Sequence, residues 1–420
     1  MKISIRPGYI SGTLQAPASK SVMQRACALA LLHTGITRIH NAGNSADDKA
    51  ALAIIKNLGA NIKYLPGAWI EIVSTGIHPI SQILDCGESG LSMRMFTSIA
   101  ALSSKKMTIT GSGSLTKRPM YFFEDTLPQL QVKIKTNAGK LPIEVQGPMQ
   151  PKNIKVDGSL SSQFLTGLLI SLAHAATKST EIEVSHLSSK PYIDITLQLL
   201  QEFGYRVVHR DYRLFSITPQ KKEKKEIDFT VEGDWSSASF LFVAAAILGD
   251  ITVTGLNIHS YQADKDILKL LELAGAQVTI QPECIRVIKD QLRPFQFDAT
   301  HCPDLFPPIV ALAAYCPGET VIQGIERLFY KESNRAETLK IEFEKLGIPI
   351  SLHQNSMTIQ GGTQILAATT DSHQDHRIAM ALAVVATAAR EPIMISDAEA
   401  VNKSYPRFFD DLDSLKLANE

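Results

Sequence analysis

Leu58-Gly59-Ala60-Asn61-Ile62, followed by Trp69-Ile70-Glu71-Ile72-Val73, is the stretch on which the fold turns. The glycine suits a left-handed helix cap. The alternation on either side of the turn suits strands with one buried face. The same helix, glycine, strand, turn, strand order returns three times. Phe203-Gly204-Tyr205-Arg206-Val207 leads into Leu214-Phe215-Ser216-Ile217. Ala274-Gly275-Ala276-Gln277-Val278 leads into Cys284-Ile285-Arg286-Val287-Ile288. Leu346-Gly347-Ile348-Pro349-Ile350 leads into Ser356-Met357-Thr358-Ile359. A weaker copy runs through Leu127-Pro128-Gln129-Leu130-Gln131-Val132 and Leu141-Pro142-Ile143-Glu144-Val145. Copies lie about 70 residues apart, too far for thin solenoid layers, so each is a small α/β subdomain. With a sixth copy hidden near the C-terminus, six units in 420 residues fit two domains of three.

The charged run Gln220-Lys221-Lys222-Glu223-Lys224-Lys225-Glu226 reads as a solvated hairpin tip or linker. A boundary just after it, near Phe229, would make the halves similar in size. The 42 basic and 42 acidic residues cancel, which argues against a nucleic-acid binder. Neutrality still allows a locally basic pocket. Cys27, Cys86, Cys284, Cys302 and Cys316 form no CxxC pair and no metal-ligand spacing. An odd, scattered set predicts a reduced, intracellular protein. The N-terminus lacks signal-peptide and transit-peptide character. The apolar runs Phe240 to Leu248 and Ile378 to Ala389 are too short to span a bilayer and read as buried helices. A cytoplasmic location is expected, with neither membrane nor nucleic-acid partners.

Five segments put Ser, Gly or Asp beside a cation at the start of an apolar helix, where free N–H groups and the helix dipole favour anions. They are Ser19-Lys20-Ser21 with Arg25, Gly87-Glu88-Ser89-Gly90 with Arg94, Asp157-Gly158-Ser159-Leu160-Ser161-Ser162-Gln163, Lys331-Glu332-Ser333-Asn334-Arg335, and Gln374-Asp375-His376-Arg377. Each has a plainer reading. The first is also an ordinary capped helix with two surface cations, and the second a turn. The fourth, with Lys331 and Arg335 four apart on one helix face, is also a surface ion-pair face. In the fifth, Asp375 is a helix cap, and His376 taken alone is more often structural than catalytic. Arg118 and Lys403 stand singly. No GxxxxGK[ST] loop, GxSxG elbow or HExxH helix competes. Generic reasoning therefore reaches a two-domain α/β protein that binds a highly anionic small molecule between its domains.

Ser161-Ser162-Gln163-Phe164-Leu165-Thr166, Ser189-Lys190-Pro191-Tyr192-Ile193-Asp194-Ile195-Thr196, Val231-Glu232-Gly233-Asp234, Pro303-Asp304, Lys331-Glu332-Ser333 and Asp375-His376-Arg377 follow one another in a recognisable order. Together they resemble the enolpyruvyl transferase family, in the branch that acts on shikimate 3-phosphate. The resemblance implies transfer of the enolpyruvyl group of phosphoenolpyruvate to the 5-hydroxyl of shikimate 3-phosphate. Phosphate is released through a tetrahedral intermediate, with no metal or organic cofactor, in chorismate and aromatic amino-acid biosynthesis. It implies an α/β fold of two lobes, each of three βαβαββ repeats, an inside-out α/β barrel. In that fold the extreme N-terminus crosses to complete the C-terminal lobe. The expected domains are then 19–229, mainly for shikimate 3-phosphate, and 1–18 with 230–420, for phosphoenolpyruvate and catalysis. The active site is expected in the interdomain cleft, closing around its substrates, and the protein is expected to be a monomer.

The two substrates bring two phosphates and two carboxylates together, so cations must gather there, since burying unpaired charge is costly. Arg forks suit both anions. Carried over by resemblance, the shikimate phosphate sits on Ser161, Ser162 and Ser189. Lys20, Ser21, Arg25, Gln163, Tyr192 and Lys331 contact the rest of that substrate. Phosphoenolpyruvate meets Lys20, Gly90, Arg118, Gln163, Arg335, His376, Arg377 and Lys403. Asp304 accepts the proton of the attacking hydroxyl, and Lys20 or Glu332 protonates the enol methylene. This sequence departs from the family at Glu88, where Asn is usual, and at Leu91, where Thr is usual. It departs again at Arg327 and Phe329, where a polar residue such as Asn and an Arg are usual. These changes bear on affinity and on the response to glyphosate. Two rival readings are the UDP-N-acetylglucosamine branch and a silent anion-binding homologue. The loop Gly111 to Pro119 holds no Cys before its Arg-Pro pair, which counts against the first. Lys20, Asp304, Glu332 and Lys403 are all in place, which counts against the second.

Overall fold

The computed structural model describes residues 1–219, 225–329 and 331–416. Gln220 to Lys224 of the charged run, and Tyr330, lie outside the described residues. Two compact units are present, one of Ala18–Val231 and one of Met1–Pro17 with Glu232–Glu420. Each has its own apolar core.

The repeat reads directly off the sheets. In the unit Ala18–Val231 each four-stranded sheet pairs two parallel strands and adds an antiparallel hairpin. The parallel pairs are Gly35–His40 with Glu226–Thr230, Ile83–Asp85 with Met107–Thr110, and Ile154–Asp157 with Thr180–Ser185. The hairpins are Asn61–Leu65 with Trp69–Ser74, Lys133–Lys135 with Ile143–Gln146, and Arg206–Arg210 with Leu214–Thr218. The other unit repeats the plan with Ile10–Gln15 beside Gly249–Thr254, and with Gln296–Asp298 beside Gly318–Gln323. In its third sheet Thr369–Asp371 and Ile393–Ser396 are parallel, and Lys2–Ile5 takes the place of the hairpin. The sixth copy therefore had no hairpin to read.

Gly59, Gly204, Gly275 and Gly347 all have positive φ just after a helix, where a residue without Cβ is favoured. In the weaker copy Gln131 occupies that position at φ 61°. There the chain makes a 3₁₀ turn over Leu127–Leu130 and the strand begins only at Lys133. The expected strand through Val132 thus starts later than its apolar pattern suggests.

Helices lie inside and sheets outside. Lys20–Leu32, Gly90–Ala100 and Ser162–Ala175 pack on one another and are buried almost all round. Trp235–Leu248, Phe306–Ala313 and His376–Ala386 do the same in the other unit. This explains the two long apolar runs. Each buried Leu, Ile or Phe contributes about 1.5–3 kcal/mol relative to exposure. The sheets alternate, as in Glu226–Thr230, whose inward residues are Ile227 and Phe229. Gly167 allows one close crossing, because a Cβ there would lie 2.9 Å from the Met95 backbone. Among the described residues no helix is long and apolar enough to cross a membrane.

Candidate active site

Two parallel neighbours in a sheet send two loops out side by side at their carboxyl ends, the usual place for ligands in α/β sheets. The sequence-predicted residues are concentrated in such loops and on the first turns of the helices that follow. Asp157 pairs with Ser185 at the end of one parallel pair. The loop holding Ser161 and Ser162 and the loop holding Ser189 leave from there. Ser188 donates through its backbone N–H and its Oγ to the carbonyl of Gly158, at 3.2 Å each, tying the loops together. Ser161 caps the helix Ser162–Ala175, accepting the Gln163 N–H. Ser189 is buried and adopts φ 53°.

Arg25 is 1% exposed, and its hydrogen bonds go to neutral oxygens. Nε donates to Thr196 Oγ1 at 2.9 Å, Nη1 to the Ser21 carbonyl at 2.7 Å, and Nη2 to the Tyr192 carbonyl at 3.2 Å. Burial brings its pKa down to about 10. A buried cation solvated by neutral oxygens is costly, and an anion brought to it recovers part of that cost. Ser21, Arg25 and Tyr192 are thus brought together. Lys20 Nζ lies 3.0 Å from Asp47 Oδ2. Asp47 and Asp48 open the helix Ala46–Asn57, and burial pushes the Asp48 carboxyl up to about 7 against its bonds to Ser45.

Gly90, Arg118 and Gln163 also converge. A Cβ on Gly90 would stand 2.8 Å from Arg118 Nη1 and 3.8 Å from Gln163 Oε1. Arg94, noted in the sequence as the cation beside Gly90 but given no substrate role there, joins them: its Nη1 donates to Gln163 Oε1 at 2.7 Å, and its guanidinium lies over the Phe164 ring. Its place one turn beyond Gly90 was the available signal. Glu88 is directed at the turn through Gly113, where a Cβ would meet its carboxylate at 2.6 Å.

The other unit gathers three carboxylates and three cations. Asp304 stands in the 3₁₀ turn Pro303–Leu305, after strand Gln296–Asp298. It accepts from Lys331 Nζ at 3.2 Å, Arg335 Nη1 at 2.8 Å and Arg377 Nη2 at 3.1 Å. Arg335 Nη2 donates to Glu332 at 2.6 Å and Nε to Asp375 at 2.7 Å. Asp375 caps the helix His376–Ala386 by accepting the Arg377 N–H. Lys331 and Arg335 do not share a helix face as their spacing suggested. The helix begins at Arg335, Lys331 lies in the loop before it, and both converge on Asp304. His376 is buried beside Asp375, its Nδ1 3.8 Å from Oδ1. Lys403 is buried at the end of the turn Ala398–Lys403, in the loop after Ile393–Ser396. The bond from Ser372 Oγ to the Asp397 carbonyl joins that loop to the one carrying Asp375.

Burial alone would raise the Asp304 carboxyl, but Arg377, Lys331 and Arg335 outweigh it and hold it well below the usual range. Burial lowers the Lys331 ammonium despite Asp304. Arg335 and Arg377 rise, their carboxylate neighbours overcoming burial. Asp264, missed by sequence reading, has its carboxyl pushed up to about 7 by burial and then by Asp304. Its place in the loop after Gly249–Thr254 was the signal.

The pattern of EPSP synthase (3-phosphoshikimate 1-carboxyvinyltransferase) matches residues 5–412. A Clostridium perfringens protein named 3-phosphoshikimate 1-carboxyvinyltransferase is 34% identical over 99% of this chain and 98% of its own length. A Clostridium kluyveri protein of the same name is 35% identical over 98% and 97%. The solved EPSP synthase of Acinetobacter baumannii superposes with a TM-score of 0.83 at 26% identity, covering 99% of this chain and 98% of its own. The enolpyruvyl transferase NikO of Streptomyces tendae shares the fold at a TM-score of 0.76 and 16% identity, over 98% of this chain and 96% of its own. With the fold and these matches in agreement, the chain belongs to the EPSP synthase family, whose reaction joins shikimate 3-phosphate and phosphoenolpyruvate on the route to the aromatic amino acids.

Proposed function

We propose that the residues of this enzyme divide the enolpyruvyl transfer as follows. Ser161, Ser162 and Ser189 take the phosphate of shikimate 3-phosphate, and Ser21, Arg25, Gln163, Tyr192 and Lys331 its ring. Lys20, Gly90, Arg118, Gln163, Arg335, His376, Arg377 and Lys403 receive phosphoenolpyruvate. Asp304 takes the proton of the 5-hydroxyl as its oxygen bonds to C2. Glu332 gives a proton to the methylene carbon, forming the tetrahedral intermediate. In the second step the bond from C2 to the phosphate oxygen breaks, Glu332 recovers the proton from the methyl group, and the hydroxyl proton leaves with the phosphate.

The observation that carries this reading is that one guanidinium, Arg335, holds both carboxylates: Asp304 on Nη1 and Glu332 on Nη2. A base and an acid must stand on opposite sides of the reacting centre, and this arginine spaces them. Lys20, whose Nζ lies 3.0 Å from Asp47, is the alternative donor. The test is phosphate release from phosphoenolpyruvate with shikimate 3-phosphate, with UDP-N-acetylglucosamine, and with neither. Release is expected with the first alone. Glu332→Gln should slow it about a hundredfold or more, the usual weight of an acid–base group. Retention of more than about a tenth of the rate would move the donor to Lys20.

Gly90 provides a check on the phosphoenolpyruvate end. The Cβ of Gly90→Ala, 2.8 Å from Arg118 Nη1, must displace that guanidinium. The KM for phosphoenolpyruvate should rise about tenfold, as for one weakened charge-assisted hydrogen bond. The KM for shikimate 3-phosphate should stay within about twofold. Steady-state kinetics with each substrate varied in turn reads both.

A further inference from the structure

Gln24 is completely buried on the helix Lys20–Leu32, one turn after Lys20 and next to Arg25. Its Oε1 accepts from two hydroxyls of another helix, Ser89 Oγ and Ser92 Oγ, each at 2.8 Å. Ser89 is the N-cap of the helix Gly90–Ala100, and its Oγ in turn accepts the Ser92 N–H at 3.2 Å. The cap and the third residue of that helix are therefore pinned to one amide. The other end of the amide, Nε2, is buried without a hydrogen-bond partner among the described residues. An unmet donor in the interior is costly, and an apolar side chain of the same shape would avoid that cost. The amide therefore carries a cost of its own beside the two bonds it accepts.

Its geometry suits a different use. With the Ser92 N–H taken by Ser89, the free donors of the first turn are the N–H groups of Gly90 and Leu91. These belong to the turn that packs against Arg118 and Gln163. The tie from Gln24 sets that turn relative to the helix bearing Lys20, Ser21 and Arg25. We infer that Gln24 is a positioning residue for phosphoenolpyruvate, acting through the Ser89 and Ser92 hydroxyls on the turn at Gly90. The inference rests on the placement of phosphoenolpyruvate at Gly90 and Arg118 proposed above.

The test uses the full-length enzyme and three changes: Gln24→Met, which keeps the volume and loses the amide, Ser92→Ala, and Arg118→Lys. Gln24→Met should raise the KM for phosphoenolpyruvate about tenfold, with kcat and the KM for shikimate 3-phosphate within about twofold. Ser92→Ala should shift the same constant in the same direction, and the double variant should be no worse than Gln24→Met, because both remove one tie. Ser92→Ala carries the test if Gln24→Met does not fold. Equal changes in both KM values, or additive effects in the double variant, would reduce Gln24 to a packing role and overturn the inference. If Arg118→Lys leaves the KM for phosphoenolpyruvate unchanged, the placement at Gly90 fails first and the positioning role goes with it.

Discussion

Replacing Asp304 by Asn should lower kcat about a thousandfold while leaving phosphoenolpyruvate bound at least as tightly as before, within the 10²- to 10⁴-fold weight of a general base. The argument starts from the charges. Three cations hold the Asp304 carboxyl well below the usual carboxylate range, against the opposing effect of burial. A carboxylate that acidic is a weak base. Arg335 and Arg377 are also proposed to receive the anionic groups of phosphoenolpyruvate. When phosphate and carboxylate oxygens reach them, the field at Asp304 is offset and its basicity rises. The substrates thus switch on the base that deprotonates one of them. Asn cannot accept the proton, so chemistry slows. It also no longer competes for the two arginines, so binding is spared. Rapid-quench kinetics and equilibrium titration with phosphoenolpyruvate separate the two effects. A kcat within about tenfold of the wild type would remove Asp304 from the role of base.

The same carboxylate makes a prediction about acid. Its pKa in the folded state lies below the unfolded value of about 3.9. Its contribution to stability is therefore present above that unfolded value and is lost as pH falls through the folded pKa. In Asp304→Asn this part of the acid dependence should disappear, so wild type and variant converge in stability toward low pH.

The architecture was legible where a local rule repeats. Gly59, Gly204, Gly275 and Gly347 mark four helix ends because each adopts positive φ before a strand. The copy containing Gln131 was faint for the same reason, since Gln sits there at φ 61° without the glycine that signals it. The last copy could not be read as a hairpin, because its third strand is Lys2–Ile5, paired with Ile393–Ser396 from the far end of the chain. Side-chain constellations were less legible. Asp304 meets Arg377 across 73 positions and Gln24 meets Ser92 across 68, distances that periodicity does not reach. Spacing even misled at Lys331 and Arg335, which looked like two turns of one helix and are a loop residue and a helix start. Residue types at helix starts suggested anions, but the wiring among them is a tertiary property.

That wiring makes Asp375 the position where loss of one side chain should cost the fold most. It is fully buried, and it is bound by Arg335 through both Nε and Nη2, at 2.7 and 3.2 Å. It accepts from Ser333 Oγ, and it caps the helix His376–Ala386. In Asp375→Ala the Arg335 guanidinium stays buried with less than its share of negative charge, and a helix in the core loses its cap. Breaking a buried pair by removing one partner costs about 3–5 kcal/mol, and a lost cap about 1 kcal/mol. At about 2–4 °C per kcal/mol for a unit of this size, melting should fall by roughly 10 °C or more. Asp375→Asn keeps an acceptor for the helix and for Arg335 but not the charge, so it should fall between wild type and Asp375→Ala. Arg335, released from Asp375, is then held by Asp304 and Glu332 alone, which draws it off the position proposed for phosphoenolpyruvate. The KM for that substrate should rise about tenfold or more in both variants. Calorimetry and steady-state kinetics on the pair decide the matter. A melting temperature within about 2 °C of wild type for Asp375→Ala would mean that Arg335 finds its balance of charge without Asp375.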